Sequence, residues 1–373
     1  MQADIIIIGG GLSGLFTTWQ LQSTSASPVI MEARTRLGGR ILTEGREHRY
    51  DCDLGPSWFW PGQPLVAGLL DHFDISFYDQ FVGGAVLFQR MDGGVEQIID
   101  PPPMAGSRRI QGGISSLTDM IVNEIDASHR FLSHRVTGLS INKGVITVDA
   151  FGPSGKVQAH AKQVALAIPP RLAAGLTFSP ELPTETMQAL IETPTWMAGH
   201  AKFFAIYDRP FWRGKGLCGT VISQSGPLAE IHDASPDSGL SFSLFGFSRI
   251  DAKGRDSMGQ EEFIKQSISQ LAVLFGDEAN RPIAVHFQDW SREQFTASVD
   301  DRSPQSHHPQ YGMNFKLGSA WDGKLELISS ETSFNNGGLI EGALEAGLRF
   351  ANRITGLKTP LADDWYKPGI EIK

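Results

Sequence analysis

A turn of glycines near the start of the chain has the composition of a phosphate cradle. Gly9-Gly10-Gly11-Leu12-Ser13-Gly14 satisfies the G-x-G-x-x-G spacing, directly after the apolar run Asp4 to Ile8 and ahead of a stretch of helical character. In that setting the first glycine permits a tight turn, the second lets backbone approach a pyrophosphate, and the third lets helix and strand pack closely. The helix N-terminus adds its positive dipole end. Glu32 closes the next apolar run, where an acid suits ribose hydroxyls and repels a 2′-phosphate. Lys202 is the second chemical feature. His200, Lys202, Phe204 and Ile206 alternate with Ala201, Phe203, Ala205 and Tyr207, two largely apolar faces that predict a buried strand carrying one cation. His200 reads as a satisfied polar neighbour.

The elements that must position these groups are legible in outline. Residues 4–8, 12–21 and 29–31 read as strand, helix and strand, a compact βαβ unit. Helical spacing runs from Gly113 to Ile125, and alternating stretches at Arg135 to Ile141 and Gly144 to Ala150 meet at Asn142-Lys143-Gly144, which predicts a hairpin. Val164 to Ile168 reads as a strand stopped by Pro169-Pro170, residues 200–247 hold several strand-like runs, and Glu261 to Leu274 is an amphipathic helix. Leu325 to Ile328 reads as a strand and Gly338 to Ile354 as a helix with small residues on one face. The expected class is α/β: a Rossmann-like dinucleotide-binding domain with a second, mixed sheet-plus-helix domain. No internal repeat is visible.

Composition narrows the partners. The 373 residues carry a formal net charge of -9, and no dense Lys/Arg cluster could neutralise a run of phosphates, so nucleic acid is excluded as an expected partner. The two cysteines, Cys52 and Cys218, lie far apart, which rules out a disulfide framework and a Cys-rich metal site; no metal is expected. The first residues lack a signal-peptide pattern, no apolar run could span a bilayer, and the polar stretch 361–373 offers no anchor. The expectation is a cytoplasmic protein without a membrane partner.

The residues after Glu32 carry a resemblance. Glu32-Ala33-Arg34 followed by Arg36-Leu37-Gly38-Gly39-Arg40 resembles the signature of FAD-dependent amine oxidases. The likeness continues through Asp53-Leu54-Gly55-Pro56-Ser57-Trp58, Gly112-Gly113, Ala167-Ile168-Pro169-Pro170, Phe178 to Pro183, Glu331-Thr332-Ser333 and Ile340 to Gly347. It implies FAD held by Gly9, Gly11, Ser13, Gly14, Glu32, Ala33, Arg34, Gly39 and Arg40, with Arg40 along the diphosphate and Arg34 toward the ribose. Val136 matches the position whose backbone receives adenine. Gly55, Pro56, Ser57 and Trp58 would line the flavin ring, although Trp58 also reads as core. Glu331, Gly338, Leu339 and Ile340 would approach the flavin pyrimidine edge, where a helix N-terminus stabilises charge. Lys202 falls where the family carries a lysine that contacts flavin N5 through water. Arg36 matches the motif and reads equally as a solvated charge.

Departures from the family pattern bear on chemistry. Aligned from Asp289-Trp290, the cysteine that bonds flavin covalently in monoamine oxidases falls on Val299, so the FAD is expected to be non-covalent. The tyrosines of the substrate-facing pair fall on Asp300 and Leu339, so Trp290, Asp300 and Leu339 become the candidate substrate contacts, while Asp300-Asp301 also reads as a solvated acidic turn. The segment from Pro61 to Gly112 is shorter than in the larger oxidases. The resemblance implies oxidation of the C-N bond of an amine or amino acid by hydride transfer to FAD, with O2 as acceptor and a small molecule as substrate. Oxidation or desaturation of a C-C bond, oxidation of NAD(P)H, or a non-catalytic escort role on the same fold are the alternatives. Residues 1–77, 107–191 and 293–356 are expected to form the FAD-binding domain, and 78–106 with 192–292 the substrate domain.

Overall fold

The computed structural model describes residues 1–98, 101–303, 305, 307–312 and 315–356; the polar stretch 361–373 lies outside them. The chain opens with strand β1 (Gln2–Ile8), helix α1 (Leu12–Gln22) and strand β2 (Pro28–Met31). β1 pairs in parallel with β2 on one side and with the end of strand Gly155–Leu166 on the other. Every residue of β2 and the last four of β1 are buried, which is why this segment is continuously apolar rather than alternating. The first sheet runs, by strand, 177–179, 135–142, 145–152, 155–166, β1, β2, 130–131, with 325–327 beside 155–166. Helices α1, Ser115–Glu124 and Ile340–Thr355 cover one face, where Leu15, Phe16, Leu117, Ile121, Leu344 and Phe350 form a common core.

The predicted hairpin is present, with Lys143 at φ 46° and Gly144 at φ 81° in the two central positions of its turn, the backbone a tight two-residue turn requires. The strand expected from Val164 to Ile168 needs correction. It is the last part of a twelve-residue strand, Gly155–Leu166, and Ile168 lies beyond it. Its first half is half-exposed, so Lys156, Gln158 and His160 alternate with small residues and the apolar signal that marks the buried end is missing there.

The second sheet runs, by strand, 284–289, 201–207, 242–248, 228–233, 217–223, 85–89, 95–98. Its helix, Gln260–Phe275, buries Phe263, Leu271, Leu274 and Phe275 against Phe203, Ala205 and Tyr207. The opposite face, through Phe204, Ile206 and Phe245, packs on Cys52 and Leu54. Strand Ala201–Tyr207 is therefore buried on both faces. Among the described residues, no helix is long and apolar enough to cross a membrane.

Candidate active site

A single cavity of about 950 Å³ runs from the first glycine turn to the second sheet, at the upper end of the range for small-molecule and cofactor sites. At one end lies the N-terminus of α1. Gly9 turns at φ 108°, and a Cβ there would sit 2.7 Å from the Ala167 carbonyl. Gly11 caps α1 with extended backbone and no side-chain hydrogen bond, so the helix's first amides are left for a ligand on the wall that Gly11, Leu12 and Ser13 form. The second glycine turn lies against the first. Gly38 N–H donates to the Gly10 carbonyl at 2.8 Å, and a Cβ on Gly39, at φ 59°, would stand 2.9 Å from the Gly11 Cα.

Charged side chains shape this end. Glu32 accepts from the Gly10 amide at 2.7 Å and the Arg34 amide at 2.8 Å, so its carboxylate first holds the turn and presents its remaining lone pairs to the cavity. Arg34 donates to Glu293 at 3.0 Å and Thr296 at 2.8 Å, which draws the wall residues Phe295 and Thr296 over this end. Arg40 forms a fork with Glu331 at 2.6 and 3.2 Å and donates to Ser330 at 3.0 Å. Burial would raise the Glu331 carboxyl, yet the Arg40 guanidinium outweighs it and holds the group below its ordinary value. Arg36 is neither a solvated charge nor a wall residue. It donates to the carbonyls of Leu37, Gly39 and Ile41 and braces the second turn.

At the other end, Lys202 reaches the wall with its Nζ enclosed. It donates to the carbonyls of Asp53 at 2.6 Å and Gly55 at 3.0 Å, and to the Ser57 hydroxyl. The rings of Phe245 and Phe247 lie 4.2 and 5.3 Å away. Burial pushes this amine well below the ordinary lysine value. Trp58 donates to Gln80 at 2.7 Å and Trp290 to the Leu54 carbonyl at 2.8 Å, both rings on the wall. Gly338, Leu339 and Ile340 bring a second helix N-terminus to the cavity, also without a side-chain cap. Behind it Glu341 accepts the Leu65 and Val66 amides at 2.8 and 2.9 Å, and burial pushes its carboxyl up to about 7.

The cavity thus brings together Gly9, Gly11, Ser13, Glu32, Ala33, Arg34, Gly39, Arg40, Gly55, Pro56, Ser57, Trp58, Val136, Lys202, Trp290, Gly338, Leu339 and Ile340. Gly14 lies off the wall and serves the close contact of α1 with the Gly9 carbonyl. Glu331 is also off the wall, where it pairs with Arg40. Of the two readings of Asp300, the cavity contact is the one corrected. The residue is exposed and absent from the cavity; its neighbour Asp301 turns inward and accepts from Arg171 at 2.5 Å and the Thr195 amide at 3.0 Å. In a tight 3-10 turn adjacent side chains point apart, and the buried partners claim Asp301. Val299 is 84% exposed.

Sequence reasoning missed two features. Glu230 lines the cavity and is bonded to His232 at 2.6 Å; two titratable residues at i and i+2 on a strand were the available signal. Arg109, buried beside Asp53 at 3.6 Å, sits behind Lys202. The reading of His200 as a satisfied neighbour is corrected: its Nε2, on the wall, is buried without a hydrogen-bond partner among the described residues, and burial lowers the ring toward its neutral form.

The fold and cavity define a two-domain α/β protein of the Rossmann-like dinucleotide-binding class. The model of the flavin containing amine oxidoreductase family matches residues 76–355, and that of an NAD(P)-binding Rossmann-like domain matches residues 7–73. The chain belongs to the flavin-containing amine oxidoreductases. A mycobacterial protein named as a flavin-containing monoamine oxidase (Mycobacterium tuberculosis) is 29% identical over 73% of this chain, and the match spans 58% of that relative's length. Horse flavin-containing amine oxidase A is 24% identical over 99% of this chain and 90% of its own. Among solved structures, a putrescine oxidase variant aligns with TM-score 0.78 at 20% identity, covering 95% of this chain and 99% of that one. Cyclohexylamine oxidase from Brevibacterium oxydans aligns with TM-score 0.78 at 18% identity, with the same coverage.

The residues present fit FAD. The two uncapped helix N-termini, the paired glycine turns that a Cβ would fill, and the arginines beside them supply a cradle for a dinucleotide with an anionic centre. Both cysteines of the chain are buried, bonded to the carbonyls of Tyr50 and Ala85, and off the wall, so neither would bond FAD there.

Proposed function

We propose that the chain is an FAD-dependent oxidase of the C-N bond of a small amine. The observation that carries this reading is one continuous cavity joining the α1 N-terminus to Lys202 and an aromatic end made by Trp58, Trp290 and Phe247. FAD held there would supply the two-electron acceptor, taking hydride from the carbon that bears nitrogen, and the imine product would hydrolyse in water. The Gly11 and Gly39 turns would hold the diphosphate, with Arg40 as its cation and Glu32 toward the ribose. Val136 lies at the adenine end. The helix beginning at Ile340 supports negative charge developing on the ring, because its first amides have no internal partner. Lys202 fixes the loop from Asp53 to Ser57 and would present its amine to a flavin ring bound along that loop. O2 is the electron acceptor in this reading. The division into residues 1–77, 107–191 and 293–356 for FAD, and 78–106 with 192–292 for substrate, is supported by the membership of strands in the two sheets.

The test is the isolated reductive half-reaction. FAD-loaded protein, mixed anaerobically with a panel of amines, amino acids and NAD(P)H, should bleach with amines, and admission of air should restore the colour with release of hydrogen peroxide. Bleaching by NADPH alone would refute the reading.

A further inference from the structure

Among the described residues, the cavity wall carries two carboxylates, Glu32 at the nucleotide end and Glu230 at the aromatic end. Glu230 has a defined place relative to Lys202. In the sheet register Lys202 stands opposite Phe247, and Phe247 opposite Glu230. All three face the cavity, so two strand spacings separate Lys202 from Glu230, about 10 Å across the sheet. Phe247 stands opposite Glu230 across the sheet, and Trp58, Ala229 and Met104 line the same cavity.

The carboxylate is also oriented. His232 Nε2 lies 2.6 Å from Glu230 Oε1, with its ring 0% exposed and edge-on to Trp58 at 5.0 Å. Burial lowers this imidazole, and the positive charges of Lys202 and Arg109 act in the same direction against its bond to Glu230. A neutral ring donates one hydrogen bond and leaves the charge of the carboxylate uncancelled. Oε2 has no hydrogen-bond partner among the described residues.

We propose that Glu230, seated on His232, binds a second cationic group of the substrate, so that the chain selects diamines and related amines with a positive charge several atoms from the reacting carbon. The proposal rests on the amine-oxidation reading above. Chemistry places the carboxylate at the far cation. The reacting nitrogen must be neutral for its carbon to surrender hydride, and a carboxylate beside it would favour the ammonium form. A carboxylate two strands from Lys202 leaves that nitrogen free and holds the other end. A structural role for Glu230 would predict burial and full satisfaction of its oxygens. Instead its side chain is 33% exposed and bonded through one oxygen.

The experiment compares FAD-loaded parent, Glu230→Gln and Glu230→Ala with 1,4-diaminobutane and 1-aminobutane as substrates. For both variants the expected result is a rise of about 30-fold in KM for the diamine with kcat within about twofold, the scale of one lost charge-assisted hydrogen bond. KM for the monoamine should stay within about threefold of the parent on the same scale. A diamine-to-monoamine ratio of kcat/KM that is unaltered in both variants would overturn the proposal. So would loss of FAD from both, since Glu230 would then be a residue of the fold. A parent oxidising neither amine would remove the reading on which the proposal stands; a parent oxidising both equally well would leave that reading intact and remove only the role of Glu230.

Discussion

Replacing Glu331 by glutamine would strand a cation at the centre of the cofactor cradle. The Glu331 side chain is 0% exposed and its fork with Arg40 has arms of 2.6 and 3.2 Å. At 2.6 Å the raw attraction is about 6 kcal/mol for an effective dielectric near 20. Removing one partner of such a buried pair typically costs about 3–5 kcal/mol, because the other charge keeps its desolvation without compensation. The Arg40 side chain is 29% exposed toward the cavity, and water there screens part of the loss. The expected destabilisation of the apoprotein is therefore about 3 kcal/mol, a fall in Tm of roughly 4 °C at this chain length. If the FAD diphosphate faces Arg40, it becomes the counter-charge in the variant. The FAD-loaded variant should then lose less than half of that stability, and its Kd for FAD should fall. Thermal unfolding with and without FAD, together with FAD fluorescence titration, measures both. Equal losses in the apo and loaded forms with an unchanged or weaker Kd would refute the assignment of Arg40 to the diphosphate.

The same pair fixes the sign of an acid dependence. Glu331 is held below its ordinary value of 4.5, so the stability it contributes is present above that pH and lost as pH falls through the lowered value. The stability curves of parent and Glu331→Gln should converge in acid.

Two further outcomes follow from the geometry. Lys202→Met leaves the Asp53 and Gly55 carbonyls and the Ser57 hydroxyl without their donor; with about 1–3 kcal/mol for each buried orphan, partly offset by removing a desolvated amine, the variant should unfold several degrees lower and its reduced flavin should reoxidise about tenfold more slowly in stopped-flow traces. Coincident traces and equal Tm would refute a role for this amine. Gly39→Ala puts a Cβ 2.9 Å from the Gly11 Cα at a φ of 59°, so the two turns must part and FAD affinity should drop at least tenfold by fluorescence titration; an unchanged Kd would show that their contact is not needed.

Local chemistry made part of this protein legible from its chain alone. The strand, glycine turn and helix at residues 2–22 are consecutive, so one stretch of sequence carries the whole phosphate-binding geometry. The alternation around Lys202 reported burial on both faces because each face meets its own apolar layer, one from the helix Gln260–Phe275 and one from Cys52 and Leu54. Tertiary structure decided the rest, since it depends on residues far apart in sequence. Arg40 and Glu331 meet across 291 positions, and Arg34 and Glu293 across 259, so pairs of opposite charge that look like independent ligands become each other's partners. Asp300 and Asp301 are chemically identical, and only the positions of Arg171 and the Thr195 amide turn the second inward. Glu230 joins the cavity because sheet register sets it two strands from Lys202, a proximity that no local pattern encodes.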